Sequence, residues 1–340
     1  MTWRLPLSRL REQALQHEAL LWWIHSLYAL ALGVTLMWLG ARHFTWLRVA
    51  AIHILAIWTC SLLLANYIDR PDHTSRRWTG ARLVINYVTK NFYQQILFFI
   101  LPIYAASATL ASRNILFVIL LGASAILSTL DVIYDRHVSA RRRLTGAFFA
   151  FNLFAVVNVA LPVLWSVSNL TAQRAGALSA VLGYITIARR PTDLTRSRTW
   201  WSIGAGALVV LVSMELMRSV VPPAPLRLTA TEFGLGLDRR RLRTEQPIVA
   251  LTPGYVGRVY VVTALEAPMG LRDRVEMRWY RGTHLVWASP ARSIVGGRKE
   301  GFRLWSSVPI TRDQSPDALR LDVVTEAGQL IGRASLPVLK

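Results

Sequence analysis

The sequence predicts a membrane all-α helical bundle of seven transmembrane helices, followed by an all-β immunoglobulin-like sandwich. Three observations carry this expectation. The 340 residues are 53% hydrophobic, with charge gathered in short segments and in the C-terminal third. Basic residues are plentiful in every second inter-helix loop and scarce in the others. After Pro222-Pro223 the long apolar runs give way to an alternation of apolar and polar residues.

Seven apolar segments are read as spans: Leu20 to Gly40, Trp46 to Ile68, Phe92 to Ala111, Asn114 to Tyr134, Ala147 to Ser168, Ala172 to Ala188 and Trp200 to Val221. About 20 helical residues cross the roughly 30 Å hydrocarbon layer. The first segment has that length and no convenient cleavage site, so it reads as a retained signal anchor. Trp22, Trp23, Trp38, Trp46, Trp165, Trp200 and Trp201 fall near span ends, where amphipathic indoles favour the headgroup level. The sixth segment is short and rich in Gly and Ala, a composition that suits close helix packing. Residues 1–19 form an N-terminal segment, 20–221 the helical domain and 222–340 the sandwich.

Arg4, Arg9 and Arg11 precede the first span, and only Arg42 follows it. Arg70, Arg76, Arg77, Arg82 and Lys90 come next, then a lone Arg113. Arg136, Arg141, Arg142 and Arg143 are followed by a lone Arg174, and then by Arg189, Arg190, Arg196 and Arg198. Positive charge is retained on the cytoplasmic side. The N-terminus is therefore expected inside and everything after Val221 outside the cytosol.

In the C-terminal third, Val275, Met277 and Trp279 alternate with Glu276, Arg278 and Tyr280, and Leu319, Leu321 and Val323 with Arg320 and Asp322. Leu330, Gly332, Ala334, Leu336 and Val338 form a third alternating series. Further strands are expected in Leu226 to Phe233, Val256 to Leu265 and Phe302 to Val308, with turns at Arg281-Gly282 and Ala327-Gly328. Six to eight short strands over about 120 residues fit an immunoglobulin-like sandwich.

The stretch Val275 to Leu339, with Arg278-Trp279-Tyr280-Arg281-Gly282, Gly301-Phe302-Arg303-Leu304-Trp305-Ser306, Leu319 to Val324, Gly328 and Ile331-Gly332, resembles the bacterial Domain of Unknown Function 2914. Lys90 to Phe99 and Leu130 to Arg136 are similar to the multispan region that accompanies that domain in some proteobacterial proteins. The resemblance implies a bacterial inner-membrane protein, so the outer compartment in which the arginine pattern places the C-terminal domain is expected to be the periplasm. It implies no activity, cofactor or catalytic residue.

Two groups of residues stand out. Gln94 and Gln95 begin the third span, and Asp131 and Asp135, with Arg136, end the fourth. The two aspartates lie four apart on one helix face. The five form a candidate polar cluster at the inner surface, either a small polar or proton-handling site or a hydrogen-bonded clamp between helices. In the sandwich, alternation points Arg278, Tyr280, Arg303, Trp305 and Arg320 outward, as one candidate face for an anionic or carbohydrate envelope polymer or for a partner protein. The Arg239-Arg240-Arg241-Leu242-Arg243 run is a candidate for lipid headgroups or for a solvated loop.

The formal charge of +20 comes without any nucleic-acid recognition motif, so no nucleic acid is expected as partner. A lone cysteine, Cys60, excludes a disulfide within the chain and a multi-Cys zinc site. No nucleophile elbow, phosphate loop, zincin or dinucleotide motif is present, and the seven histidines lack ligand spacing. No catalytic, cofactor or metal residue is therefore nominated. The expected role is non-catalytic: a membrane-held envelope binding or assembly module whose partners are the bilayer and an envelope polysaccharide or another membrane protein. Two alternatives stay open. A transporter or channel would bring His53 and Asn158 into one cavity, and a membrane enzyme would use Asp131, Asp135 and Arg136 at the cytoplasmic face.

Overall fold

The computed structural model describes residues 27–28, 30–31, 34–35, 47–63, 76–130, 133–189, 197–311 and 318–339. The helices with described bounds come first: α1 (Leu47–Leu63), α2 (Arg76–Ala106), α3 (Ile115–Thr129), α4 (Arg142–Trp165), α5 (Asn169–Ala188) and α6 (Ser197–Leu216). A π-helical turn, Tyr134–Ser139, precedes α4, and a 3₁₀ turn, Arg218–Val220, follows α6.

The helical core gathers Ile57 of α1, Leu97 and Ile100 of α2, Leu121 of α3 and Phe149 and Leu153 of α4. Helices α4 and α5 run antiparallel across a short link, residues 166–168. Ser166 takes φ of 55° to end α4, and the Ser168 hydroxyl accepts the Thr171 N–H to begin α5. Small residues let the two backbones close. A Cβ on Gly183 would stand 2.7 Å from Phe149 and 2.8 Å from Leu153, and one on Gly146 would stand 2.9 Å from Ala188.

A bundle of seven spans is not what the helices form. Among the described residues only α4 is long and apolar enough to cross a membrane. The reason is length and dilution. The 15 residues of α3 fall short of the roughly 20 needed at 1.5 Å per residue. α2 is long, but its first half is the Arg76 to Lys90 stretch expected as a loop, which is helical instead. Asn169, Gln173 and Arg174 dilute α5, and in α6 the apolar run is only Ile203–Leu216. The expected first span lies almost wholly outside the described residues.

The β region is a two-layer sandwich. Strands β1 (Arg227–Asp238), β2 (Arg243–Ile248), β3 (Gly257–Glu266) and β7 (Phe302–Ile310) form one antiparallel sheet, in the order β2-β1-β3-β7. Strands β4 (Arg272–Arg281), β5 (His284–Ala288), β8 (Leu319–Thr325) and β9 (Leu330–Leu336) form the other, in the order β5-β4-β8-β9, with β6 (Arg292–Val295) also on β4. Between the sheets lie Val259, Val261 and Leu265 from one and Val275, Met277, Trp279, Leu321 and Val323 from the other. Trp279 is fully buried, edge-on to Phe233, and donates its indole N–H to Ser306 Oγ at 2.8 Å.

The six strands expected from alternation are β1, β3, β4, β7, β8 and β9, and the two expected turns carry Gly282 (φ 56°) and Gly328 (φ 85°). Three strands lack that signal: β2 is Arg-Thr-Glu-Gln-Pro-Ile, and β5 and β6 are edge pieces of five and four residues. Opposite Val323 and Val324 of β8 the register shifts by one residue of β9, and the skipped Ile331, which strict alternation had placed outward, lies in the core.

The two regions are hydrogen-bonded together. Residues 221–226 are all buried, so the boundary at Pro222 is a packed seam. Across it Asn114 Nδ2 donates to Leu330 O (3.1 Å), Gln329 Nε2 to Val221 O (3.2 Å) and Arg333 to Ala111 O (2.9 Å). Asp273 Oδ2 accepts both the backbone and the side-chain N–H of Asn169, at 3.1 and 3.0 Å. A carboxylate at the first residue of α5 complements the helix dipole.

Candidate functional site

The five sandwich residues expected to share one face are divided between two sheets. Arg278, Tyr280 and Arg320 stand on β4 and β8, whereas Arg303 and Trp305 stand on β7 of the opposite sheet. Alternation gives each side chain its parity, inward or outward. Which sheet carries a strand is set by the chain's crossings between layers.

On the β4–β8 sheet the expected arginines each have a carboxylate partner, Asp322 being shared between two guanidiniums. Arg278 binds Glu276 Oε2 through Nε (3.1 Å) and a terminal N (2.8 Å). Arg320 lies 4.3 Å over the Tyr280 ring, with Nε 3.3 Å from Asp322 Oδ1. Asp322, with its side chain only 8% exposed, also receives a two-pronged bond from Arg333, at 2.6 and 2.8 Å. That carboxylate holds the Arg333 guanidinium above its ordinary pKa. This surface is a closed ion-pair network.

The β7 side differs. Trp305 carries two guanidiniums on its ring, Arg239 from the β1–β2 turn at 5.2 Å and Arg292 from β6 at 5.5 Å. Among the described residues neither has a carboxylate partner. Arg303 beside them is held by Glu300 (2.9 Å) and donates to Arg241 O (3.4 Å), which pins the β1–β2 turn against β7. Arg298 lies 4.6 Å over Phe302 one step along the strand. A hollow of about 350 Å³ adjoins, lined by Thr229, Glu232, Arg243, Thr263, Lys299 and Arg303 among others. Two unneutralised cations held on an indole attract an anion. Arg239 and Arg292 were not expected to meet, because they are far apart in sequence and stand on different sheets. The aromatic-plus-Arg composition near Trp305 was the only available signal.

In the helical region the expected polar cluster is only partly brought together. Gln95 Oε1 pairs with His53 Nε2 of α1 at 3.1 Å, and Gln94 is buried on α2. Asp135 and Arg136 are exposed on the π-helical turn, and Asp131 lies outside the described residues. Asn158 is buried and donates to the Tyr104 hydroxyl at 2.9 Å, which in turn donates to Ala155 O. His53 packs instead on Phe92. No group of three or more His, Cys, Asp or Glu with metal-binding proximity occurs among the described residues.

The family of unknown function DUF5924 matches residues 4–258, three-quarters of the chain. The chain belongs to DUF5924. The match takes in the helical region and the sandwich as far as the start of β3. It replaces the resemblance of Val275 to Leu339 to Domain of Unknown Function 2914, which rested on packing and turn residues shared by many sandwiches. No curated protein matches the chain. Among solved structures, the chain is similar to an immunoglobulin-like protein from Pseudomonas aeruginosa, at 11% identity and a TM-score of 0.22, over 34% of this chain and 98% of that one.

Proposed function

We propose that this DUF5924 protein is a membrane-held module of the bacterial envelope whose sandwich binds an acidic polysaccharide outside the cytosol. The observation that carries the ligand class is the Arg239–Trp305–Arg292 stack. Uronate or phosphate groups would meet the free guanidiniums, which the indole holds side by side.

The membrane part of the reading rests on surface chemistry. Leu116, Ile119, Leu120 and Ile126 of α3, Leu178 and Leu182 of α5, and Leu208 to Val212 of α6 are all exposed. Exposed apolar side chains on three helices suit lipid or a membrane partner better than water. Placement of the sandwich outside the cytosol is part of the proposal.

The test is binding of the full-length protein in neutral detergent to a polyuronate and to uncharged dextran, measured by calorimetry. The polyuronate is expected to bind, with affinity falling as salt rises, and dextran is not. Arg239→Ala combined with Arg292→Ala should weaken binding at least tenfold, while Arg278→Ala on the opposite sheet should leave it within twofold. Equal binding of both polymers, or indifference to the double substitution, would refute the site.

A further inference from the structure

A second cleft, of about 620 Å³, opens at the seam between the helical region and the sandwich. From below it is lined by Ser168 and Leu170 at the start of α5 and by Arg218 after α6. From above it is lined by the start of β4, by β6 and by the β8–β9 turn.

The charges in this cleft do not cancel evenly. Both of its carboxylates are engaged. Asp273 is held by the two Asn169 donors and by the Arg274 backbone N–H, and Glu326 is held by Arg274 at 2.6 Å. Arg218 shares Glu215 with Arg174, at 3.2 and 3.1 Å. Arg272 has no side-chain partner among the described residues and is exposed at the rim. One full positive charge is thus left over, beside the apolar surface of Leu170 and of Val295, which is 46% exposed.

The surroundings indicate what brings a negative charge there. Trp165 at the end of α4 is 66% exposed, Met217 next to Arg218 is 55% exposed and Met269 on the β3–β4 turn is 82% exposed. Trp165 and Met217 lie at helix ends that meet the sandwich, and Met269 lies on the turn whose Gly270 approaches Ser166. An exposed indole beside exposed arginines is the composition of a membrane–water interface.

We infer that the seam cleft binds the phosphate headgroup of an anionic membrane lipid, with Arg272 as its principal contact, Arg218 beside it, and Leu170 and Val295 along the first acyl carbons. This rests on the membrane reading above, and on no part of the polysaccharide site. The lipid would lock the sandwich to the bilayer surface, because its ligands come from both regions.

The experiment uses the full chain in a neutral detergent and titrates in short-chain phosphatidylglycerol, short-chain phosphatidylcholine or inorganic phosphate, with thermal unfolding and native mass spectrometry as readouts. Phosphatidylglycerol is expected to bind at least tenfold more tightly than phosphatidylcholine and to raise the unfolding midpoint. Arg272→Gln should abolish most of that preference and Arg272→Lys only part of it, while Arg239→Ala should leave it unchanged. Equal binding of the two lipids, or an unchanged preference in R272Q, overturns the inference. Saturation by inorganic phosphate at the lipid's concentration would also overturn it, assigning the site to a free anion. Carbonate washing of cell membranes separates the two failures. A protein that stays in the pellet without headgroup preference loses the cleft assignment alone, whereas one that washes free loses the membrane reading as well.

Discussion

Asp322 shows how much one side chain can hold. Its carboxylate is nearly buried, receives two bonds from Arg333 and lies against Arg320, and Arg333 continues to the Ala111 carbonyl in the helical region. Removing it leaves two confined guanidiniums without their counter-charge. Asp322→Ala is expected to lower stability by about 3 kcal/mol, read from the denaturant midpoint, and Asp322→Asn by less. The sign of the pH dependence follows from Arg333. Its folded pKa lies above the ordinary arginine value, so its contribution is present below that value and lost only as pH climbs through the raised one. The difference in midpoint between wild type and Arg333→Ala should therefore stay flat between about pH 6 and 9. Trp279 is a second case. Ser306→Ala strands the buried indole N–H, and a loss of about 1–2 kcal/mol is expected in thermal unfolding.

Among the elements, the α4–α5 hairpin and α6 predict opposite responses to the same type of substitution. Gly183→Leu drives a side chain into Phe149 and Leu153, with an expected cost of about 1–3 kcal/mol and a lower yield of monodisperse protein. Gly204→Ala and Gly206→Ala on α6 meet nothing within 4 Å, so the gain in helix propensity is uncompensated. Together they should raise the unfolding midpoint in detergent, by up to about 1 kcal/mol each. Equal effects at Gly183 and Gly206 would mean that α4 and α5 do not pack as described. In the β region, strands with period-two patterning were legible because one face is buried and the other wet. β2, β5 and β6 were not, because their side chains are mostly exposed on both faces and alternation has nothing to report.

For the whole molecule, the decisive feature is the seam, where Asn114, Asn169, Gln329 and Arg333 tie the sandwich to helix ends. Asn169→Ala combined with Gln329→Ala should loosen the seam without unfolding either region. Hydrogen exchange should then rise in residues 221–226 while β4 and α4 stay protected. Uniform protection would show that the packed seam needs no such ties. The candidate site has the same scale, since Arg239, Arg292 and Trp305 come from a turn and two strands on different sheets. No local pattern reports such a meeting.

Composition and alternation were enough to separate a helical half from a sheet half, to locate six strands and to fix the parity of Trp279, Arg303 and Trp305, because hydrophobic burial is written residue by residue along the chain. Helix length, the pairing of Gln95 with His53 and the division of the arginines between a carboxylate-paired sheet and an open one were decided by three-dimensional packing. Charge neutralisation depends on which carboxylate comes within about 4 Å of a guanidinium, and that distance is set by how the layers stack.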